Sequence, residues 1–337
     1  MIHRILGESA PADADPNVAD VALLVAASAI LALASAAAAS LRFAHSGAFL
    51  GPVGGVVAFL GLINLYQKVR LPENKRLIFM LNILMLYFAV SLILLVYQYA
   101  MALLPAYPVS DLVHDGDELV GFEWIEFSVI AHKIPYFSET LGFCYKNWIR
   151  EIFVVVMILT NCRKFDRLKE FSVAYIFTGM AAITVSGFLY SQSYDALVAY
   201  STVGAHLPTG FTQEVFDKAE RLRQGRDHTL DFSRLVGLVC FPSFHAGAAV
   251  LLATTTRGMR WLWPLFLTFN VLVLLGTLTE GGHNLTDVIG GCLIAIAAAG
   301  AAPAYLRWGL ARRLMASGAL LRFGQRLTAS RGGVFVE

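Results

Sequence analysis

Charge is scarce in this chain. Asp, Glu, Lys and Arg make up 15% of its 337 residues, where a soluble chain carries about 25%. Lys and Arg number 26 against 24 Asp and Glu, a net charge of +2, so no electrostatic footprint for a nucleic acid exists. Cysteine is sparse as well. Cys144, Cys162, Cys240 and Cys292 form no C-x-x-C pair, which excludes a thiolate zinc finger and a disulfide scaffold. They read as small apolar fillers. In place of charge the chain is 57% hydrophobic, with a mean hydropathy of +0.63. Neither a disordered chain nor a water-soluble fold of this size accommodates so much apolar surface.

A membrane helix takes about 20 apolar residues. Eight runs qualify: Val21–Leu41, Ala48–Tyr66, Leu77–Leu104, Leu141–Asn161, Phe171–Ser191, Phe241–Thr256, Trp261–Thr279 and Leu285–Leu306. The fourth is the weakest, because Lys146, Arg150 and Glu151 interrupt it. The first is expected to be retained as a span, because four acids and one arginine precede it, the wrong charge for a signal peptide. The expected fold is therefore an all-α, polytopic membrane bundle of about eight helices.

Basic residues set the orientation. Arg4, the loops around Lys68–Arg76, Arg163–Lys169 and Arg257–Arg260, and the tail from Arg307 to Arg331 share 17 of the 26 cations. This side is assigned to the cytoplasm, with both termini. Two long segments, 105–140 and 192–240, then face outward, consistent with an inner-membrane protein whose site faces the periplasm or the outside. The second carries Lys218, Arg221, Arg223, Arg226 and Arg234. These read as an anion site or, on the spacing of Phe216, Ala219, Leu222 and Arg223, as one solvated amphipathic helix.

Two segments carry chemistry. Phe241-Pro242-Ser243-Phe244-His245-Ala246-Gly247 opens the sixth run. Proline suits a first helical turn, and Ser243 with the free amides of a helix start forms an anion site facing the outer compartment. Gly281-Gly282-His283-Asn284-Leu285-Thr286-Asp287 opens the eighth run. His283 and Asp287 are four apart and share a helix face, so the carboxylate can fix the imidazole tautomer and leave the other nitrogen free as nucleophile or base. Gly281 and Gly282 allow a ligand close to the backbone. The sixth run goes inward, the seventh returns, and both histidines meet one membrane face. Taken singly, each histidine is equally an interfacial hydrogen-bonding residue. A metal site from His245, His283 and Asp287 lacks a further ligand, so no metal and no cofactor are expected.

Pro-Ser-Phe-His followed by His-x-x-x-Asp resembles the type-2 phosphatidic acid phosphatase superfamily, which is haloperoxidase-like. The fuller wording, with Gly-Gly before the second histidine and Asp-Val-Ile-Gly-Gly after it, resembles its branch related to inositol phosphorylceramide synthase. The resemblance implies a six-helix catalytic core over 67–306 with outer loops 105–140 and 192–240. An N-terminal segment with two extra spans (1–66) would precede it, and a basic cytoplasmic tail (307–337) on the inner membrane surface would follow. It implies a lipid phosphatase or phosphotransferase acting through phosphohistidine without metal. His283 would attack phosphorus, Asp287 would orient it, and His245 would protonate the leaving oxygen. Ser243, Gly282 and backbone amides would hold phosphate oxygens. The superfamily's Arg-Pro element is absent, and Gly276-Thr277 stands where Ser-Arg is usual. Arg223, with Arg221 and Arg226 beside it, is the expected substitute. The partners implied are a lipid phosphate in the bilayer and, for a headgroup transferase, an alcohol or polyol acceptor. A non-catalytic lipid-phosphate binding or transport protein uses the same pocket with less geometry.

The orientation has a direct test. A Gln224→Cys variant should label with an impermeant thiol reagent in intact cells, and Gly258→Cys should not. The reverse pattern would move the site to the cytoplasm.

Overall fold

The structure is a computed structural model. It describes residues 17–71, 73–191 and 213–331. Eleven helices and four short strands are found among them. Eight long helical segments follow the eight apolar runs: α1 (Ala19–Ala38), α2 (Ser46–Arg70), α3 (Lys75–Ala102), α6 (Phe137–Asn161), α7 (Phe165–Phe188), α9 (Phe244–Thr255), α10 (Leu262–Thr279) and α11 (Leu285–Arg331). Five of them, α1, α3, α7, α10 and the first part of α11, are long and apolar enough to cross a bilayer. The chain is an integral membrane protein.

Two of the other three depart from the simple count of eight, for separate reasons. Helix α9 has 12 residues, a length of about 18 Å against a hydrocarbon core of about 30 Å. It is wrapped by protein, with most of its residues buried. Helix α6 carries the three charges that weakened its run, and they divide by face. Lys146 and Arg150 are exposed, while Glu151 is buried and accepts a 2.6 Å hydrogen bond from Asn270 Nδ2 on α10. Helix α2 has 25 residues, a length of about 37 Å, enough to span.

Helix α7 is the centre of the bundle. In its membrane-crossing stretch 67% of residues are buried, against 28–39% in the other four spans. Its Thr178-Gly179 and Ser186-Gly187 steps let neighbouring helices approach closely, as membrane packing without a hydrophobic drive requires. Leu94 and Phe244 lie against Gly179, and Met101 against Gly187. The main apolar core fills the space between α7 and helices α1, α3, α6, α9 and α11.

The described parts of segments 105–140 and 192–240 fold as caps on the bundle. Between α3 and α6 lie β2 (Tyr107–Pro108), α4 (Ser110–Leu119) and α5 (Trp124–Lys133). Trp124 is buried and donates from Nε1 to Leu278 O at 3.0 Å, fixing α5 on the end of α10. Before α9 come α8 (Gln213–Arg223) and β4 (Thr229–Asp231). Parallel pairing joins β4 to β1 (Arg42–Ala44), and β2 to β3 (Leu189–Tyr190). The apolar-run reading contained no strands, because pieces of two and three residues leave no alternating pattern. A second small core, built on Tyr99, Leu222, Leu230 and Leu238, seats α8 on the C-terminal end of α3. Asp231 caps the turn after β4; its bonds from Ser233, with His45 alongside, hold its carboxyl down at about 2.

The expected tail is corrected in one respect. The backbone of α11 continues through Pro303 to Arg331, so the tail up to that residue extends the same helix.

The junction of α9 and α11 is the tightest in the bundle. A Cβ on Gly291 would run into Ser243 O, and one on Gly247 would sit 3.0 Å from Gly291 O. Gly291→Ala should therefore destabilise the detergent-solubilised protein by about 1–3 kcal/mol through overpacking. Gly300→Ala, which meets nothing within 4 Å, should leave thermal unfolding unchanged. Equal melting behaviour of the two variants would refute the tight junction.

Candidate active site

The two chemical motifs meet at the N-terminal ends of α9 and α11. Pro242 ends the approach to α9, and Ser243 is its N-cap, with Oγ accepting from Ala246 N at 3.4 Å. The Ser243 N–H donates to Asp287 O at 2.9 Å, so the start of α9 is bonded directly to the first turn of α11. His245 then lies 6.4 Å from His283, ring centre to ring centre. His283 Nδ1 is 3.4 Å from Asp287 Oδ2. The same carboxylate oxygen accepts from Asn284 N at 3.0 Å. Gly282 adopts φ +65°, the left-handed turn that swings the chain from α10 into α11. A Cβ on Gly281 would press on Thr277 O, the His283 ring and the Tyr145 hydroxyl.

One expectation about exposure is corrected. Ser243 was expected to face the outer compartment, and it is fully buried as a cap. His283 is 4% exposed and Asp287 0%, so the pair sits inside the protein. Access comes through a small cavity of about 80 Å³ lined by Tyr145, Tyr190, Phe216, Cys240, Gly281, His245 and His283, among others. His245 also lines a second, apolar cleft with Leu94, Trp148, Ile149, Tyr175 and Phe244, between α3, α6 and α7. The imidazole of His245 therefore stands between two cavities, the second far more apolar than the first.

The arginine cluster is placed differently from its expected role. Phe216 and Ala219 line the cavity and Leu222 is buried, so the amphipathic spacing of α8 holds. Arg223 lies on that inward face, yet its guanidinium serves the backbone. Nη1 donates to Met101 O, Leu104 O and Gly187 O at 3.3, 3.2 and 2.9 Å, and Nη2 to Ser186 O at 2.7 Å. These carbonyls end α3 and α7, where orphan acceptors and the negative end of the helix dipole favour a cation. The group also stacks over Tyr190 at 4.7 Å, and burial lowers its pKa. Arg223 is a strut between α8 and two helix ends. Arg221 and Arg226 are exposed and do not line the cavity.

Three neighbours of the histidines were not singled out by motif. Tyr145 and Trp148 hold the His245 ring from two sides, with centroids 5.0 and 5.2 Å away. Cys240, read as a filler, has its sulfur 3.7 Å from Asp287 Oδ2. Asp117 on α4 is buried and receives four donors from the start of α11. Its Oδ1 accepts Thr286 N and Thr286 Oγ1, each at 2.7 Å, and its Oδ2 accepts Leu285 N at 3.0 Å and Asn284 Nδ2 at 3.2 Å. A carboxylate at a helix N-terminus satisfies orphan amides and complements the dipole. Here it comes from another helix, which no local cap pattern in the sequence announces. A Cβ on Gly116 would meet Thr286 Oγ1, so that glycine gives Asp117 its approach.

A family profile described as the PAP2 superfamily matches residues 110–301. The chain belongs to the PAP2 superfamily. The matched region covers more than half of the chain and holds every residue of the two-histidine site. It begins at Ser110, the first residue of α4, so the helix that carries Asp117 lies within the superfamily region while α1, α2 and α3 lie before it. No curated protein and no solved structure matches the chain.

Asp117→Ala strands two amides, a carboxamide and a hydroxyl at the start of α11. It should cost about 2 kcal/mol or more of stability and lower kcat about tenfold with little change in KM, since His283 and Asp287 lose their fixed frame. Asp117→Asn, which keeps one accepting oxygen, should recover part of both. Thermal unfolding and kinetics on the same samples decide the matter. An equal effect from the exposed Asp115→Ala would remove Asp117 from any positioning role.

Proposed function

We propose that the protein is a metal-independent phosphatase or phosphotransferase acting on lipid phosphoesters through a phosphohistidine. One observation carries this reading: His245 and His283, from separate motifs, face each other across one cavity, with Asp287 behind His283. The apolar cleft on the other side of His245 supports a lipid as the substrate, its headgroup in the chamber and its chains toward the bilayer. Superfamily membership supports the reaction type.

In the first step His283 Nε2 attacks phosphorus and the P–O bond to the leaving group breaks. Asp287 accepts the Nδ1 proton as a hydrogen bond and stabilises the charge that develops on the ring. The departing oxygen takes a proton from His245. In the second step His245 takes a proton from water or an alcohol, whose oxygen attacks the phosphohistidine and frees His283. The amides of Phe244 and His245, at the start of α9, have no partner among the described residues. They are the donors offered to a phosphate oxygen.

A second reading has an observation of its own. No lysine or arginine lines the cavity among the described residues, and the segment 192–212 contains none in sequence. A phosphomonoester carries close to two negative charges, a phosphodiester one. The weak positive field favours the diester, hence transfer of a headgroup to an alcohol or polyol acceptor, as the likeness to inositol phosphorylceramide synthase implies. A bacterial inner membrane is the proposed setting, with the site toward the periplasm and both termini cytoplasmic.

His283→Ala should lower turnover at least a hundredfold, and orthovanadate should inhibit the wild type. Activity should survive strong chelation, because every group invoked belongs to the chain. Phosphate release and headgroup exchange, measured on one purified sample, separate hydrolase from transferase. Turnover in His283→Ala above a hundredth of wild type would remove the nucleophile assignment, and absence of both reactions would leave a binding protein.

A further inference from the structure

Cys240 has no part in the phosphohistidine route, yet its sulfur reaches the carboxylate that serves the nucleophile. Among the described residues, one thiol, one imidazole and one carboxylate come together here: the ligand atoms of Cys240, His283 and Asp287 all lie within 4.8 Å of one another. Bond lengths of about 2.3 Å to sulfur and about 2.0–2.2 Å to nitrogen and oxygen give a tetrahedral zinc site ligand-to-ligand edges of about 3.3–3.7 Å. Two edges are already at that length. His283 Nδ1 is 3.4 Å from Asp287 Oδ2, and Cys240 Sγ is 3.7 Å from the same oxygen. The third closes with a small rotation of the half-buried cysteine.

A second observation points the same way. His283 Nδ1 and Asp287 Oδ1 are buried with no hydrogen-bond partner, in side chains that are 5% and 0% exposed. Buried polar atoms are normally satisfied. A cation between them would satisfy Nδ1 directly and draw on the carboxylate, which has lone pairs to spare beside the bond from Asn284 N. Cys240 and His283 both line the cavity, so a fourth position stays open to water.

We propose that Cys240, His283 and Asp287 form an inhibitory site for a borderline-soft divalent cation of the zinc class. Thiolate and imidazole select zinc or cadmium over magnesium and calcium, which prefer oxygen ligands. Binding releases the thiol proton of Cys240 to solvent. The metal takes the lone pair of Nδ1, so the single proton of the neutral imidazole resides on Nε2. That nitrogen then has no lone pair to attack phosphorus. Metal binding stands on the geometry alone; only its inhibitory consequence rests on the proposed phosphohistidine route.

The test uses the full chain in detergent, stripped by chelator and titrated with cadmium chloride alone. The ultraviolet thiolate-to-cadmium absorption should rise and saturate at one ion per chain. It should vanish in Cys240→Ser, weaken at least tenfold in Asp287→Asn, and persist in Cys162→Ser. Zinc should displace cadmium, and magnesium should not. Zinc should inhibit lipid phosphoester turnover by the wild type, with at least tenfold less potency in Cys240→Ser, each sample compared with its own metal-free rate. No absorption in the wild type, or full absorption in Cys240→Ser, overturns the site. Saturating zinc without inhibition overturns its inhibitory role. If the metal-free wild type turns over no lipid phosphoester while the cadmium titration behaves as described, the cation site stands and the enzymatic reading falls.

Discussion

The hydrogen bond from Ser243 N to Asp287 O, 2.9 Å long, holds the rest of the site in place. It joins the first residue of one helix to the first turn of another, and it forms because neither helix has a side chain at the crossing. Gly247 and Gly291 remove the obstruction. With those two backbones locked, His245 and His283 have little choice of position: each lies within a turn of the bond. Small residues at helix crossings are usually explained by packing alone. Here the close approach also sets the distance between the imidazoles of His245 and His283.

Much of this was legible before any coordinates. Apart from the C-terminal end of α11, the apolar runs located the long helices to within about six residues, because a bilayer imposes length and composition together. The two motifs and their meeting on one face followed from counting spans. The amphipathic spacing of Phe216, Ala219, Leu222 and Arg223 corresponds to the inward face of α8. What that spacing cannot show is the partner of the inward arginine. A guanidinium near two anion-like targets, a phosphate site and a pair of helix ends, satisfies whichever the backbone brings to it, and here the carbonyls of α3 and α7 are nearer to hand. Asp117 was invisible for a related reason. A helix cap drawn from 167–169 positions away in sequence leaves no i, i+3 signature, so only folding reveals that an outer-loop acid is part of the site's frame.

Cys240 shows the limit of reasoning by spacing. Metal and redox cysteines are found in sequence by their regular partners, and this one has none nearby. Its neighbours are His283 and Asp287, across the α9–α11 junction. The same junction that builds the proposed nucleophile therefore also assembles a soft ligand set, and the two uses compete for one nitrogen.

The electrostatics of the site follow from which helix ends are already occupied. The N-termini of α9 and α11 both open on the cavity, and each presents roughly half a positive charge. At α11 that charge is met by Asp117 and Asp287, whose carboxylates take the amides of Asn284, Leu285 and Thr286. At α9 the cap is a neutral serine, which engages only the Ala246 amide with its side chain, and the amides of Phe244 and His245 are left over. The positive end available to a phosphate is therefore that of α9. An anion drawn to it comes to rest beside His245 and faces His283 across the cavity. In the proposed route one helix start holds the acid that would orient the nucleophile, and the other the charge that would be attacked. That division explains how the chamber can work without a cation in its walls. It also explains why a serine, and not an aspartate, suits position 243: a carboxylate there would cancel the one dipole that remains.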